Sequence, residues 1–273
     1  MLEIDTFFII SLLLFFTGFI SGILAGFFGI GGAIVIIPLL IYFFQLLEIN
    51  SQFIMHLAVG TSFSIIIPTA FVSVFTHSKL NAVDYNVVKS YGIFIIIGVI
   101  LGTIFATTLQ SKSLILFFGI VLYLLSLSFF IQKENSKINF KFSLILKFIF
   151  GIIVGFISSL MGIAGATFNV PILKYFGYPI NQAIGTAAAI GLFISLFGSI
   201  GFLSTGFYLN VNLPFSIGFI NIPAFLIFAP ITSFMARIGA KSVHRTDKTK
   251  INKLFGTFLI IVATKFMYDY FQL

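Results

Sequence analysis

Ten apolar runs separated by short polar breaks fill this chain. They span residues 6–26, 31–47, 53–76, 87–110 and 114–132 in the first half, then 142–162, 166–176, 181–205, 215–236 and 251–271 in the second. Most are about 20 residues long, enough for a helix rising ~1.5 Å per residue to cross a hydrocarbon core of about 30 Å. None shows the short alternating segments of a membrane β-barrel. The pattern predicts an all-α polytopic membrane protein. Two runs stand apart: "AIVIIPLLIYFFQLL" and "ATFNVPILKYF" are short, each follows a glycine cluster, and each contains a proline. The second covers only about half a bilayer.

These two features belong to a longer duplication. Gly29-Ile30-Gly31-Gly32-Ala33 aligns with Gly162-Ile163-Ala164-Gly165-Ala166, and Pro38 then falls on Pro171 without a gap. Downstream, Ala58-Val59-Gly60-Thr61-Ser62 is echoed by Ala183-Ile184-Gly185-Thr186-Ala187, and "LFFGIVLYLL" by "KLFGTFLIIV". The chain therefore divides into a membrane repeat over 1–132, a linker over 133–141 and a second membrane repeat over 142–273. With five segments each, an odd number, the second copy is expected to lie upside-down relative to the first. Inverted repeats with short Gly/Pro-interrupted segments in matching positions are a pattern of secondary transporters.

Composition agrees with the hydropathy pattern. Of the 273 residues, 59% are hydrophobic and 8% charged, against roughly 25% charged in soluble proteins. A formal charge of +8 is explained by basic cytoplasmic loops and does not call for a nucleic-acid partner. Lys133, Lys137, Lys141 and Lys147 cluster in one loop, Arg237, Lys241, Arg245, Lys248, Lys250 and Lys253 in another, with Lys79, Lys89 and Lys174 on the same face. Only Lys112 and Lys265 fall on the opposite face, with the acidic "MLEID" and the uncharged "STGFYLNVN". This predicts a multi-pass membrane protein with both termini outside. The parity is the same if the short runs are re-entrant, so charge leaves that choice open. The first run lacks the basic n-region of a signal peptide. The absence of cysteine excludes disulfides and thiol chemistry.

The duplicated glycine clusters are the candidate site. Glycine reaches backbone angles that break a helix and permits close approach, but a broken helix inside a membrane persists only where protein or a polar cavity surrounds it. New helices starting at Gly32-Ala33 and Gly165-Ala166 would present free N–H groups and the positive end of the peptide dipoles, which suits a small anion. The expected contacts are the backbone at Gly31, Gly32, Ala33, Ala164, Gly165 and Ala166, with the side chains of Thr61, Ser62, Thr167, Asn169 and Thr186. Each hydroxyl has the alternative of bonding its own helix backbone. Gly22, Gly26, Gly98 and Gly102, spaced four apart, suit plain helix packing. Lys174 suits either an anion entrance or the topology rule.

The absences also narrow the function. No Asp or Glu lies in the middle of a run, so a carboxylate proton relay is missing. His56 sits near the outer face, and His77 and His244 fall in inner loops. There is no phosphate loop of the GxxxxGK[ST] type, no zinc ligand set and no Ser/His/Asp grouping, so neither enzymatic activity nor a cofactor is expected.

The stretches "GFFGIGGAIVIIPLL" and "GFISSLMGIAGATFNVPILKYFG", followed by "AVGTS" and "AIGTAAA", resemble the two repeats of the sulfite exporter TauE/SafE family of bacterial integral membrane proteins. The resemblance covers nearly the whole chain and departs from the commoner glycine-rich pattern at Ala164. It implies export or permeation of small sulfur-containing anions such as sulfite or organosulfonates. The resulting expectation is a secondary transporter working by alternating access, with a small anion and the lipid bilayer as its partners. The rivals are a passive small-anion channel and a non-transporting membrane assembly protein. Oligomeric state is not legible.

Overall fold

The computed structural model describes residues 4–29, 31–131, 142–242 and 248–272. Within them each predicted run forms a helix. These are α1 (Ile4–Phe28), α2 (Ala33–Leu46), α3 (Ile54–Lys79), α4 (Tyr85–Thr108), α5 (Ser111–Ile131), α6 (Leu144–Met161), α7 (Ala166–Tyr175), α8 (Ile180–Tyr208), α9 (Ile222–Ser242) and α10 (Lys248–Gln272). The linker 133–141, with Lys133, Lys137 and Lys141, lies outside the described residues, as do His244 and Arg245. Among the described residues, five helices (α3, α4, α6, α8 and α9) are long and apolar enough to cross a membrane on length and composition. The short helix α7 has 10 residues, about 15 Å at the usual rise.

One boundary moves substantially. The hydropathy pattern starts the ninth run at residue 215, whereas α9 starts at Ile222. Ahead of it is a small antiparallel hairpin, β1 (Ser216–Ile217) with β2 (Ile220–Asn221). Phe215 and Gly218 have φ of +53° and +56°, which a helix does not accommodate. Hydrophobicity alone does not separate a short strand from a helix start.

The helices pair mostly across the two halves of the chain. α1 runs along α9, α4 along α6 and α5 along α10; α3 packs on α8 and α9, and α8 on α4; α2 lies on α3, and α7 on α8. Exchanging α1–α5 with α6–α10 leaves this set of pairings unchanged. The tightest seams are lined by glycine. A Cβ at Gly22 would stand 2.6 Å from the Thr232 carbonyl oxygen, and one at Gly26 would overlap the Ala236 carbonyl. On the equivalent seam, Gly98 and Gly102 of α4 meet the backbone of Ile152 and Phe156, while Gly155 of α6 meets that of Ile95. Helices this close gain dispersion contacts that a membrane otherwise supplies poorly. Packing is therefore the role of all four glycines. Side chains such as Phe71, Phe75, Ile104, Leu124 and Phe234 face outward, as suits a hydrocarbon solvent.

His56 and His77 are more enclosed than the sequence implies. His77 is not in a loop: α3 continues to Lys79, and the ring is buried with Nε2 3.1 Å from the Gly26 carbonyl. His56 is also buried, Nε2 lying 3.1 Å from the Ala106 carbonyl and Nδ1 3.3 Å from Ser111 Oγ. Lys147 reaches along α6 to donate to Ser90 Oγ at 2.8 Å, as a snorkelling lysine does.

Candidate functional site

Both glycine clusters break the chain where the sequence predicts. Gly29, Gly31 and Gly32 have φ of +71°, +72° and +77°, and Gly162 and Gly165 have +66° and +68°. These left-handed values are costly for any residue with a Cβ. Gly32 and Gly165 are the residues capping α2 and α7, and neither has a side chain to satisfy the first N–H groups. The helical ladder begins with Val35 and Ile36 donating to the Gly32 carbonyl, and with Phe168 and Asn169 donating to the Gly165 carbonyl. The N–H groups ahead of it, at Ala33–Ile34 and Ala166–Thr167, belong to the first turn of each helix, which has no intrahelical acceptors, and all four residues are buried.

The two breaks meet. The position a Cβ would take on Gly31 is 2.9 Å from Ala164 Cβ, and these residues occupy equivalent places in the duplication. The departure at Ala164 is thereby explained: its methyl fills the room that a side chain on Gly31 would need. Each break also docks on the other half. Gly29 packs on Ile184 and Ala188 of α8, and Gly162 on Val59 of α3. Ser62 Oγ donates to the Gly162 carbonyl at 3.0 Å, and Ser21 Oγ to the Gly32 carbonyl at 3.0 Å.

The breaks differ in their side chains. Around the second, Ser158 Oγ and Asn169 Nδ2 lie 2.8 and 3.4 Å from the place where Gly165 lacks a Cβ. Both atoms are buried without a hydrogen-bond partner, and so is Thr167 Oγ1 on the first turn of α7. Asn169 Oδ1 is occupied, accepting from the Tyr91 hydroxyl of α4 at 3.0 Å. The corresponding positions of the first break are Ala25, Ile34 and Ile36, which offer no donor. A buried polar group without a partner costs about 1–3 kcal/mol, whereas an anion at a helix start gains roughly 0.3–1 kcal/mol from the dipole. Since both breaks have the same helix start, the side chains decide between them. Two neutral donors converge at the second break, with the unpartnered Thr167 hydroxyl on the same helix turn, an arrangement able to offer hydrogen bonds to an acceptor without burying a cation. Sequence reasoning missed Ser158 and Tyr91. Their only signals were a serine pair just before the break and one phenol inside an apolar run.

Thr61 and Thr186 lie in a different arrangement. Thr61 Oγ1 accepts the Asn221 N–H at 2.9 Å, and Thr186 Oγ1 accepts the Asp84 N–H at 2.9 Å. Asp84 caps α4, its Oδ1 accepting from Asn86 and Val87 N–H, and Asn221 Oδ1 accepts from Ala224 at the start of α9. The adjacent Gly60 and Gly185 admit the carbonyls of Phe219 and Ala82 against their Cα atoms. Each Gly-Thr pair thus clasps the loop that starts the fourth helix of the other half. Beside the second clasp, burial and then the Asp84 carboxylate raise the Tyr178 phenol above its ordinary pKa. All the sequence-predicted residues are buried: Gly31, Gly32, Ala33, Thr61, Ser62, Ala164, Gly165, Ala166, Thr167, Asn169 and Thr186.

Comparison with known proteins follows the same lines. The profile described as "Sulfite exporter TauE/SafE" matches residues 14–266. A probable membrane transporter protein of Haemophilus influenzae is 32% identical over 253 residues, covering 92% of this chain and 96% of that protein. One from Methanocaldococcus jannaschii is 30% identical over 255 residues, covering 92% and 93%, and one from Bacillus subtilis 26% identical over 276 residues, covering 92% and 95%. No solved structure matches the chain. With nearly its whole length matched, and with the all-helical membrane architecture described above, this chain belongs to the sulfite exporter TauE/SafE family of membrane transporters.

Proposed function

We propose that this protein is a secondary transporter of small sulfur-containing anions, such as sulfite or organosulfonates, with its anion site at the second break. The observation that carries this reading is the convergence of Ser158 Oγ and Asn169 Nδ2 on Gly165, both buried and unpartnered, at the start of α7. An oxyanion accepting from these groups, from Thr167 and from the first-turn N–H groups relieves their unmet bonding while drawing on the helix dipole. Family membership supports the substrate class.

Alternating access is supported by two features. The site residues are buried together, so a substrate needs the protein to move before it enters or leaves. The helix pairings described above are also unchanged when the halves are exchanged, as expected of inverted repeats related by a pseudo-two-fold axis in the membrane plane. In this reading the two halves rock about the contact between Gly31 and Ala164, in the inner membrane, with both termini outside.

Purified protein in proteoliposomes tests the assignment. Wild type is expected to carry sulfite or a small sulfonate with saturation and counterflow. Asn169→Leu should reduce that flux at least tenfold while the protein still inserts and unfolds cooperatively. Undiminished flux in Asn169→Leu removes the proposed site, and linear, non-saturating flux in wild type favours a channel.

A further inference from the structure

We infer that Tyr91 is a positioning residue that makes the second break selective for anions, by fixing which end of the Asn169 amide faces it. The inference rests on the anion site proposed above. An amide carries a donor end and an acceptor end of nearly equal size, so a buried asparagine beside a ligand attracts or repels an anion according to its rotation. Here the Tyr91 hydroxyl donates to Asn169 Oδ1 at 3.0 Å. That bond holds the amide oxygen against α4 and leaves Nδ2, with its two protons, on the Gly165 side, 3.4 Å from where a Cβ would stand. Ser158 Oγ, the neighbouring donor, has no comparable constraint, since a hydroxyl rotates to suit its partner.

Tyr91 is itself held firmly. It is among the largest fully buried side chains of the protein, and its ring packs edge-on against Phe142 at 5.1 Å. Phe142 in turn stacks on Phe176, just past α7, at 4.3 Å. The phenol ring is therefore anchored, through Phe142 and Phe176, to the segments just before α6 and just after α7 as well as to α4. Asn169 lies 78 residues from Tyr91 in the chain, and the equivalent of Asn169 in the first half is Ile36. The selectivity device exists once per molecule, at the second break alone.

Removing the phenol oxygen frees the amide to turn its Oδ1 toward the ligand. Affinity for an anion then falls, while affinity for a neutral ligand with N–H groups of its own is kept or rises. Methanesulfonate and methanesulfonamide form such a pair. Titration of the purified protein with each, in wild type and Tyr91→Phe, reads the ratio of the two affinities. The expected result is at least a tenfold fall in the sulfonate-to-sulfonamide ratio. A purely structural role weakens both ligands alike, so an unchanged ratio overturns the inference and leaves the site standing. Absence of saturable methanesulfonate binding in wild type overturns the site and the inference together. Should Tyr91→Phe fail to fold, the ratio is read in Asn169→Leu, which removes the oriented amide at similar size. A preference for sulfonate undiminished there overturns the inference too.

Discussion

Ser158 is the residue where function and stability oppose each other most directly. Its hydroxyl is fully buried and unpartnered, a state that costs about 1–3 kcal/mol when nothing fills the site. Ser158→Ala removes that cost along with one donor of the proposed site. The thermal midpoint of the ligand-free protein is expected to rise by a few degrees, at about 2–4 °C per kcal/mol for a chain somewhat smaller than this one. Transport should fall in the same variant. A midpoint that drops on removing the hydroxyl means that Ser158 is bonded within the protein and is not waiting for a ligand. At Gly165 the backbone supplies a second constraint. With φ at +68° and Ser158 Oγ 2.8 Å from the Cβ position, even Gly165→Ala faces strain and collision. It is expected to lower flux more than Ser158→Ala does, measured in the same vesicles.

Helices and loops account for what the two matching threonines of the duplication do. Spacing placed Thr61 and Thr186 beside the breaks, but their hydroxyls hold the loops that start α9 and α4. The two clasps share one design: a glycine admits a carbonyl, and the next residue's hydroxyl accepts an N–H. Thr61→Val and Thr186→Val each keep the shape and strand one backbone donor, which costs about 1–3 kcal/mol where the group is buried. Both variants are expected to lower the thermal midpoint by similar amounts and to leave the affinity for a sulfonate within about twofold of wild type. A large loss of affinity at unchanged midpoint would return the threonines to the binding site. The ten runs were legible because hydrophobicity and glycine content are properties of each segment alone. The hairpin ahead of α9 was not, because its apolar residues read equally well as the start of a helix. The burial of His77 was hidden as well, since it depends on α1 supplying the Gly26 carbonyl.

For the whole molecule, the proposed orientation makes a prediction that the chain is well suited to test. It contains no cysteine, so a single introduced thiol reports one position. Asn212 lies in the exposed segment after α8, and Leu80 in the exposed segment after α3. In intact cells a membrane-impermeant thiol reagent is expected to label Asn212→Cys and to spare Leu80→Cys until the membrane is opened. The reverse pattern inverts the topology without touching the fold. The proposed movement between the halves has to act on the way they interlock. The main partners of α1, α4 and α5 all belong to the other half, so rocking has to slide glycine-lined seams past each other. Substituting Gly26, where a Cβ would overlap the Ala236 carbonyl, should therefore impair insertion or stability before it alters substrate choice.

The amino-acid sequence by itself determined the membrane setting, the ten helices, the two breaks and their duplication. Each follows from local chemistry: apolar length against bilayer thickness, and glycine at left-handed backbone angles. It also pointed to the second break, through Asn169 and Thr167, as the richer in polar side chains. Only the tertiary structure decided which polar groups stay without partners. Ser158 and Asn169 share one point because two helices end and begin there, and Tyr91 completes the pair from 78 residues away. Thr61 and Thr186 are spent on loops that the sequence places far from them. Hydrogen-bond satisfaction is a property of pairs brought together by folding, and hydropathy and spacing record only one member of each pair.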